Sequence, residues 1–249
     1  MKRIFIFFLS ILPIICFASE SKRFAEANDL YSLGKFKEAD SLYQVVLQEE
    51  GSSAALYYNL GNAKYKQGEI APAILNYERA LKLDPNNEDI LFNLEMAKQQ
   101  TTDKIEQLDN FFISDWNKSI QNTFSSDGWA KLSIFCFIFT LICVSIYFFG
   151  KIGWLRKVSF FTSIFTILMC IISFHYAKNQ KNILISHDYA IIFAPSVTGK
   201  GSPDNGGTDL FLLHEGTKVK IKSKLNGWVE IQIADGNVGW IPEKCIEII

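Results

Sequence analysis

Residues 57–87 read YYNLGNAKYKQGEIAPAILNYERALKLDPNN, and this stretch decides the fold of the N-terminal part of the chain. Gly68 is placed to turn the chain in its middle, and Pro85 ends the segment because proline cannot continue a helix. The small residues that let two helices approach closely are Gly61, Ala63, Ala73 and Ala80. The stretch therefore predicts two helices packed side by side around a turn.

The same pattern recurs at an offset of 34 residues. A 34-residue period is that of the tetratricopeptide repeat, a helix–turn–helix unit, and residues 57–87 closely resemble that family. The matching pairs are Gly34 with Gly68, Ala39 with Ala73, Tyr43 with Tyr77, Leu47 with Leu81, Asn59 with Asn93, and Leu60 with Leu94. We expect two full repeats and an end helix over residues 20–100.

In this family the first helix of each repeat lines a concave groove, so the resemblance implies a peptide-binding site. Carried over by position, its lining is Phe24, Asn28, Tyr31, Tyr58, Asn62, Tyr65, Lys66 and Phe92. An asparagine side chain offers a donor and an acceptor to an extended peptide backbone. Packing of these aromatic residues between helices is the alternative. A clamp for a terminal carboxylate is disfavoured, because Phe24, Asp89 and Asn93 stand where its basic residues are needed.

The charge of the repeat segment excludes one class of partner. Residues 20–110 carry 16 acidic and 10 basic residues, a net charge of -6, whereas the whole chain has a formal net charge of -1. An acidic surface repels nucleic acid. We therefore expect protein partners and no nucleic acid.

The N-terminus carries the first of three apolar blocks. Lys2 and Arg3 precede an almost unbroken apolar run from residue 4 to residue 16, and small residues follow. This order is typical of a secretory signal peptide, which we assign to residues 1–19. An uncleaved anchor is the alternative. Lipoprotein processing at Cys16 is disfavoured because the preceding Ile15 is bulky.

The other two apolar blocks predict a membrane hairpin. Residues 132–149 and 158–177 contain no charged residue, and about 20 helical residues cross the hydrocarbon core. We assign transmembrane helices to 129–150 and 158–177. The basic loop 151–157 should be cytoplasmic. With an exported N-terminus, both soluble parts would then lie in the periplasm. Two buried helices of a soluble core are the alternative.

An amphipathic segment connects the repeats to the first span, over residues 101–128. Its apolar residues recur every three or four positions, as on one helical face. It could cap the repeats or lie in the membrane interface, and we favour the interface because the span follows directly. The face consists of Ile105, Leu108, Phe112, Trp116, Ile120 and Phe124.

Alternating residues from position 183 onward predict a small β domain over 183–249. Asn226-Gly227 is a strong hairpin signal, Asp235-Gly236 marks another turn, and the Gly/Ser/Pro-rich stretch 196–208 is expected to be a long loop. Five short strands would form a small barrel. Val219 and Ile221 should point inward, and the lysines between them outward.

The run LHEGTKV at 213–219, followed by Asn226-Gly227-Trp228 and then GWIP at 239–242, resembles a bacterial SH3-like domain. The resemblance implies a peptide groove at Trp228, Trp240 and Pro242. Cys245 replaces the tyrosine expected after that proline, and the acidic-aromatic motif of the first loop is missing. A different peptide or a wall peptide is therefore as good a ligand as polyproline.

No catalytic pattern is present in the sequence. The three histidines, His175, His187 and His214, have no cysteine or carboxylate at metal-ligand spacing. Nucleophile-elbow and nucleotide-binding motifs are also missing. Cys245 is the only cysteine of an exported domain, and a buried apolar role is expected for it. We expect no enzyme, no metal and no cofactor.

The order of segments is more distinctive than any one motif. Signal peptide, tetratricopeptide repeats, two-span hairpin and terminal SH3-like barrel resemble the BatE proteins of the Bacteroides aerotolerance operon. The resemblance implies a membrane scaffold beside von Willebrand A-type membrane proteins and a MoxR-type ATPase. The fold class expected is a multi-domain membrane protein with an all-α repeat, two transmembrane helices and an all-β barrel. The alternative is a cell-envelope sensor that binds peptidoglycan peptides.

Overall fold

The computed structural model describes residues 21–105 and 112–249, and the predicted signal peptide 1–19 lies outside these ranges. Five helices form the N-terminal region, a sixth connects it to two long apolar helices, and a β sheet follows. The helices are α1 (Lys22–Ser32), α2 (Phe36–Glu50), α3 (Ala54–Lys66), α4 (Ile70–Leu83), α5 (Glu88–Lys98), α6 (Phe112–Asn122), α7 (Ser126–Phe149) and α8 (Gly153–Ile185).

Helices α1 to α5 confirm the helical repeat region. The first helix of each unit begins at a residue whose side-chain oxygen accepts a backbone N–H, which satisfies one of the free donors of the first turn. These N-cap residues are Ser21, Ser53 and Asn87. Gly34 and Gly68 turn the chain between paired helices with φ of 77° and 80°, a conformation that glycine adopts without strain.

Close helix packing explains the small residues of the repeat. A Cβ on Gly61 would lie 2.6 Å from the Tyr77 ring, so α3 and α4 approach at this point in a way that only glycine permits. Ala39 and Ala73, 34 residues apart, are both fully buried. The repeat pattern thus reports the contact between paired helices.

Helices α7 and α8 pack against each other as a hairpin. Gly150, Lys151 and Ile152 join them, so the connection is shorter than the predicted loop 151–157, because the residues from Gly153 onward continue as helix. Inside the hairpin, Ser133 Oγ donates to the Cys170 carbonyl oxygen at 3.1 Å. Both helices are long and apolar enough to cross a membrane.

The amphipathic segment differs from the prediction at both ends. Ile105 is not helical and packs against the core of the β domain, while Phe124 lies in the turn between α6 and α7. Leu108 falls outside the described residues. Helix α6 hydrogen-bonds to α8 through Gln121, whose Nε2 donates to Gln180 Oε1 at 2.8 Å. Trp116 is 64% exposed.

The C-terminal domain is an antiparallel sheet in the order β3-β2-β6-β5-β4-β1-β7. It has seven strands instead of five, because the expected loop 196–208 begins with a strand that pairs with β3. No pairing joins β3 to β7 among the described residues, so the expected barrel is not closed. The strands are β1 (Tyr189–Ile192), β2 (Ser196–Lys200), β3 (Asp209–His214), β4 (Lys218–Leu225), β5 (Trp228–Gln232), β6 (Val238–Pro242) and β7 (Ile246–Ile248).

The β domain packs directly on the repeats. Ile191 of β1 and the C-terminal Ile249 share one buried cluster with Ile74 of α4. A separate cluster fills the sheet itself, and a third lies between α1, α2 and α3. Repeats and sheet therefore share one hydrophobic core along α4.

Candidate functional site

The repeats enclose a cavity of about 330 Å³ between α1, α3 and the neighbouring helices. Six of the eight residues carried over from the family pattern line it, namely Tyr31, Tyr58, Asn62, Tyr65, Lys66 and Phe92. Tyr77, Asn93 and Met96 complete the lining. The structure therefore brings most of the predicted groove residues to one place, while their role in binding remains a prediction.

Three parallel positions explain this arrangement. Helices α1, α3 and α5 are the first helices of successive repeats, so residues 34 apart occupy the same side of neighbouring helices. Tyr58 and Phe92 are one such pair. Phe92 is 66% exposed, so its ring remains largely open to solvent at the cavity.

A hydrogen-bond network repeats with the same 34-residue period. In the first copy, Tyr43 Oη and Asn59 Nδ2 donate to Asn28 Oδ1 at 2.7 and 2.9 Å. In the second copy, Tyr77 Oη and Asn93 Nδ2 both donate to Asn62 Oδ1 at 2.8 Å. The acceptor oxygen of each asparagine therefore holds neighbouring helices together.

This network changes what the asparagines can offer a ligand. The Asn62 oxygen is already used, and among residues 21–105 and 112–249 its Nδ2 donor has no hydrogen-bond partner. Asn28 and Phe24 do not line the cavity. Phe24 instead packs near the Tyr43 ring, with centroids 5.8 Å apart. For these two positions the packing alternative describes the structure.

Sequence reasoning missed three lining residues for identifiable reasons. Tyr77 lies on a second helix, and Asn93 was matched to Asn59 by the repeat offset but not assigned to the groove. Extending the 34-residue comparison to the partners of Asn62 would have found both. Met96 carries no such signal.

Burial sets the ionisation of the network tyrosines. Desolvation, with a smaller contribution from Tyr31, raises the pKa of Tyr43 to about 12. Desolvation also raises the pKa of Tyr77, with contributions from Tyr58 and other cavity tyrosines. Both hydroxyls therefore remain protonated donors at neutral pH.

The residues of the predicted SH3-like groove lie on neighbouring strands of the sheet. Trp228 of β5 pairs with Pro242 of β6 and with Leu225 of β4. Trp240 follows two positions before Pro242 and pairs with Glu230 and Lys200. Trp228, Trp240 and Pro242 are each half-buried, and Leu225 is 48% exposed. Together they form an apolar strip at the Asn226-Gly227 end of the sheet.

A buried ion pair joins the β domain to α4. The Glu78 side chain is only 8% exposed, and its carboxylate lies 2.6 Å from Lys218 Nζ and 3.9 Å from Lys98 Nζ. Lys218 Nζ also lies 4.9 Å from the centre of the Tyr189 ring. One lysine of the predicted solvent-facing row on β4 therefore lies in the interface between the two domains.

A second polar contact fixes the chain just after α5. The Asp103 carboxylate accepts the His214 backbone N–H at 2.7 Å and the Thr217 hydroxyl at 2.6 Å, and it contacts His214 Nδ1 at 2.7 Å. Desolvation acts to raise the pKa of Asp103, but these hydrogen bonds outweigh it and hold the pKa below its usual value.

Two basic residues of α4 hold the last strand. Arg79 Nη2 donates to the Ile248 carbonyl oxygen at 2.7 Å, and Lys82 Nζ donates to the carbonyl oxygens of Ser186 and Ile249 at 2.8 and 3.2 Å. Desolvation lowers the pKa of Lys82, and nearby Lys218 and Arg79 contribute. The interface thus includes the point where α8 ends.

The described residues contain no group of three or more His, Cys, Asp or Glu side chains arranged to hold a metal ion. Cys245 is partly buried beside the sheet core, and burial raises the pKa of its thiol. It is therefore a poor nucleophile near neutral pH.

Comparison with known proteins identifies the repeat region. A family profile described as "TPR repeat" matches residues 61–94. The chain is also similar to the "Protein CTR9 homolog" of Arabidopsis thaliana, with 33% identity over 81 residues, which is 32% of this chain and 7% of that protein. The chain thus spans a small part of that relative's length. Tetratricopeptide repeats are present, and such repeats indicate a protein–protein interaction scaffold.

Proposed function

We propose that this chain is a membrane-anchored, non-enzymatic scaffold whose repeats bind an extended segment of a protein partner in the periplasm. The cavity between the first helices of the repeats carries the proposal. It combines aromatic walls, an exposed Phe92 ring and the unpartnered Asn62 Nδ2 donor. An apolar side chain of the segment would enter the cavity while a backbone carbonyl accepts from Asn62.

Two observations support anchoring of the chain in a bilayer. Large apolar side chains cover the outside of α7 and α8, and such a surface is unfavourable in water. Phe135, Phe161 and Phe165 are each at least 64% exposed. Polar side chains turn inward instead, as the 2.7 Å contact between Thr140 and Thr166 hydroxyls shows. Helix pairs in membranes use such hydrogen bonds.

The resemblance to BatE proteins gives the proposal its biological context. The sheet has a short 3₁₀ turn at Glu243–Cys245 before its last strand, which supports an SH3-like assignment. Partners in a Bat-type aerotolerance complex would be von Willebrand A-type membrane proteins and a MoxR-type ATPase system. The basic turn of the hairpin supports a cytoplasmic loop, with both soluble domains on the other side of the inner membrane.

The cavity proposal is tested by substitutions on one helix. Phe92→Ala with Met96→Ala removes two lining side chains from α5, while Leu91→Ala on the same helix alters an exposed apolar residue outside the cavity. After crosslinking in cells and purification from detergent-solubilised membranes, the double variant should lose a protein partner that the parent and Leu91→Ala both retain. Equal recovery in all three would exclude the cavity as the binding site.

The apolar strip on the sheet favours a second candidate, a cell-envelope sensor that binds peptidoglycan peptides. Leu225, Trp228 and Pro242 align across three strands and leave apolar surface accessible. The detergent-purified protein should then sediment with purified cell wall. Trp228→Ala should abolish this, and Val238→Ala, at the other end of β6, should not. A full-length protein that stays in the supernatant would rule the sensor out.

A further inference from the structure

A second cavity, of about 390 Å³, lies at the turn of the α7–α8 hairpin, far from the repeats. Both helices contribute to it. Tyr147 comes from the end of α7, and Gly153, Arg156, Lys157, Phe160 and Phe161 come from the first turns of α8. The cavity therefore combines two cations with three aromatic rings.

The cations at this cavity have no acidic partner. Residues 128–187 contain no Asp or Glu, so the hairpin supplies no carboxylate to balance them. Within the described ranges 21–105 and 112–249, neither Arg156 nor Lys157 forms an ion pair. They also lie in the first turn or so of α8, where the helix dipole already contributes positive potential. An anion would relieve this repulsion.

Arg156 is oriented by the helix that faces it. Its Nε donates to the Tyr147 carbonyl oxygen at 3.0 Å, and its guanidinium carbon lies 5.6 Å from the centre of the Tyr147 ring. These contacts use Nε and one face of the guanidinium. The two terminal nitrogens have no hydrogen-bond partner among the described residues, and such a pair suits two phosphate oxygens.

The apolar part of the cavity continues onto the outer surface of the hairpin. Phe161 is 70% exposed and Phe160 is 43% exposed, and both lie on the α8 face that follows the two cations. A ligand with an anionic head and an apolar tail would therefore match the order of side chains along α8. A soluble phosphate would use only the cationic end.

We propose that this cavity binds an anionic phospholipid, with its headgroup phosphate on Arg156 and Lys157 and an acyl chain along Phe160 and Phe161. Basic pockets between transmembrane helices on the cytoplasmic side bind such headgroups. The site rests on the proposed insertion of the hairpin into a membrane. It would add a lipid requirement to a scaffold whose protein-binding cavity lies in the repeats.

The test compares two double variants of the full-length protein that lose equal charge. Arg156→Gln with Lys157→Gln empties the cavity of cations. Lys178→Gln with Lys181→Gln removes two exposed cations near the opposite end of α8. Each protein is titrated in neutral detergent with phosphatidylglycerol or phosphatidylcholine, and retained lipid is counted by native mass spectrometry.

We expect the parent to prefer phosphatidylglycerol by roughly tenfold, and the cavity variant to lose that preference while the control keeps it. Equal retention of the two lipids by the parent, or equal loss in both variants, would overturn the site. Displacement of phosphatidylglycerol by millimolar inorganic phosphate alone would assign the cations to a soluble anion and overturn the lipid proposal.

A parallel extraction separates this proposal from the proposed function. Parent protein that remains in membranes at alkaline pH but shows no headgroup preference would remove the lipid site and leave the anchor intact. Protein that alkaline carbonate releases from membranes would instead contradict the anchor, and the lipid site with it.

Discussion

The two full repeats have the same internal hydrogen bonds but different neighbours. Asp40 of α2 and Ile74 of α4 are 34 residues apart and occupy equivalent positions. Asp40 forms an ion pair with Lys64 of the next repeat at 2.7 Å. Ile74 is fully buried, and a Cβ on Gly216 of the β domain would lie 3.2 Å from its Cδ1. The first junction is polar, and the second joins two domains through an apolar contact.

This difference shows how the repeat array ends. Terminal repeats of such arrays need a modified outer surface, because each unit is stabilised by its neighbours. Here α5 is an end helix without a paired second helix, and the β domain packs on α4. Lys98, the equivalent of Lys64, contacts Glu78, which also binds Lys218 of the sheet. The sheet thus takes the place of a further repeat.

The largest expected effect comes from emptying the apolar junction. Ile74→Ala should cost about 2–5 kcal/mol, as for other buried large-to-small changes. Because Ile74 shares its cluster with Ile191 and Ile249, hydrogen exchange should accelerate in α4 and also in β1 and β7. Val46→Ala, in the separate cluster of the first repeat, should accelerate exchange only in that repeat. Unchanged exchange in β1 and β7 with Ile74→Ala would show that the domains are not coupled.

A smaller effect is expected from the buried ion pair. Glu78→Gln should cost about 1.5–3 kcal/mol, the range for hydrogen bonds to charged groups. In a double-mutant cycle measured by denaturant unfolding, Glu78→Gln and Lys218→Gln should be non-additive. Glu78→Gln and Lys64→Gln should add, because Lys64 pairs with Asp40 and Glu69 at the other junction. Additivity in both cycles would argue against the Glu78–Lys218 contact.

The smallest effect concerns acid. The pKa of Asp103 is lowered in the folded protein, so its contribution to stability is present above the unfolded value near pH 4 and is lost as the pH falls below it. Exchange of the His214 amide should therefore accelerate, relative to its intrinsic rate, below about pH 4. Asp103→Asn should remove this acid step, whereas Asp89→Asn on exposed α5 should keep it. An acid step that persists in Asp103→Asn would assign it to another group.

The repeat region was predictable because its signals are local. The glycine turns and the small residues at 34-residue spacing each reflect a contact within or between neighbouring helices, as Gly61 against Tyr77 shows. The long apolar helices were predictable for the same reason. Most of the cavity lining followed from the family pattern, since six of eight carried-over residues line it.

Contacts between distant segments were not predictable. Nothing in the sequence indicates that Asp103 binds residues 111 and 114 positions later. The lysine row on β4 was expected to face solvent, and Lys218 instead meets a buried carboxylate on α4. The strand β2 was hidden in a Gly/Ser/Thr-rich stretch, because Gly199 is required only by the Phe211 ring, 2.2 Å from where its Cβ would lie.

The most direct test of the scaffold proposal places a photo-crosslinking amino acid in the cavity of the protein in living cells. Position 92, in the cavity, is compared with position 33, where Leu33 is 72% exposed and lies outside it. We expect a discrete protein adduct from position 92 that disappears when Tyr65→Ala is added, and no such adduct from position 33. Identical adduct patterns from both positions, or an adduct unaffected by Tyr65→Ala, would contradict the assignment of the cavity as the partner-binding site.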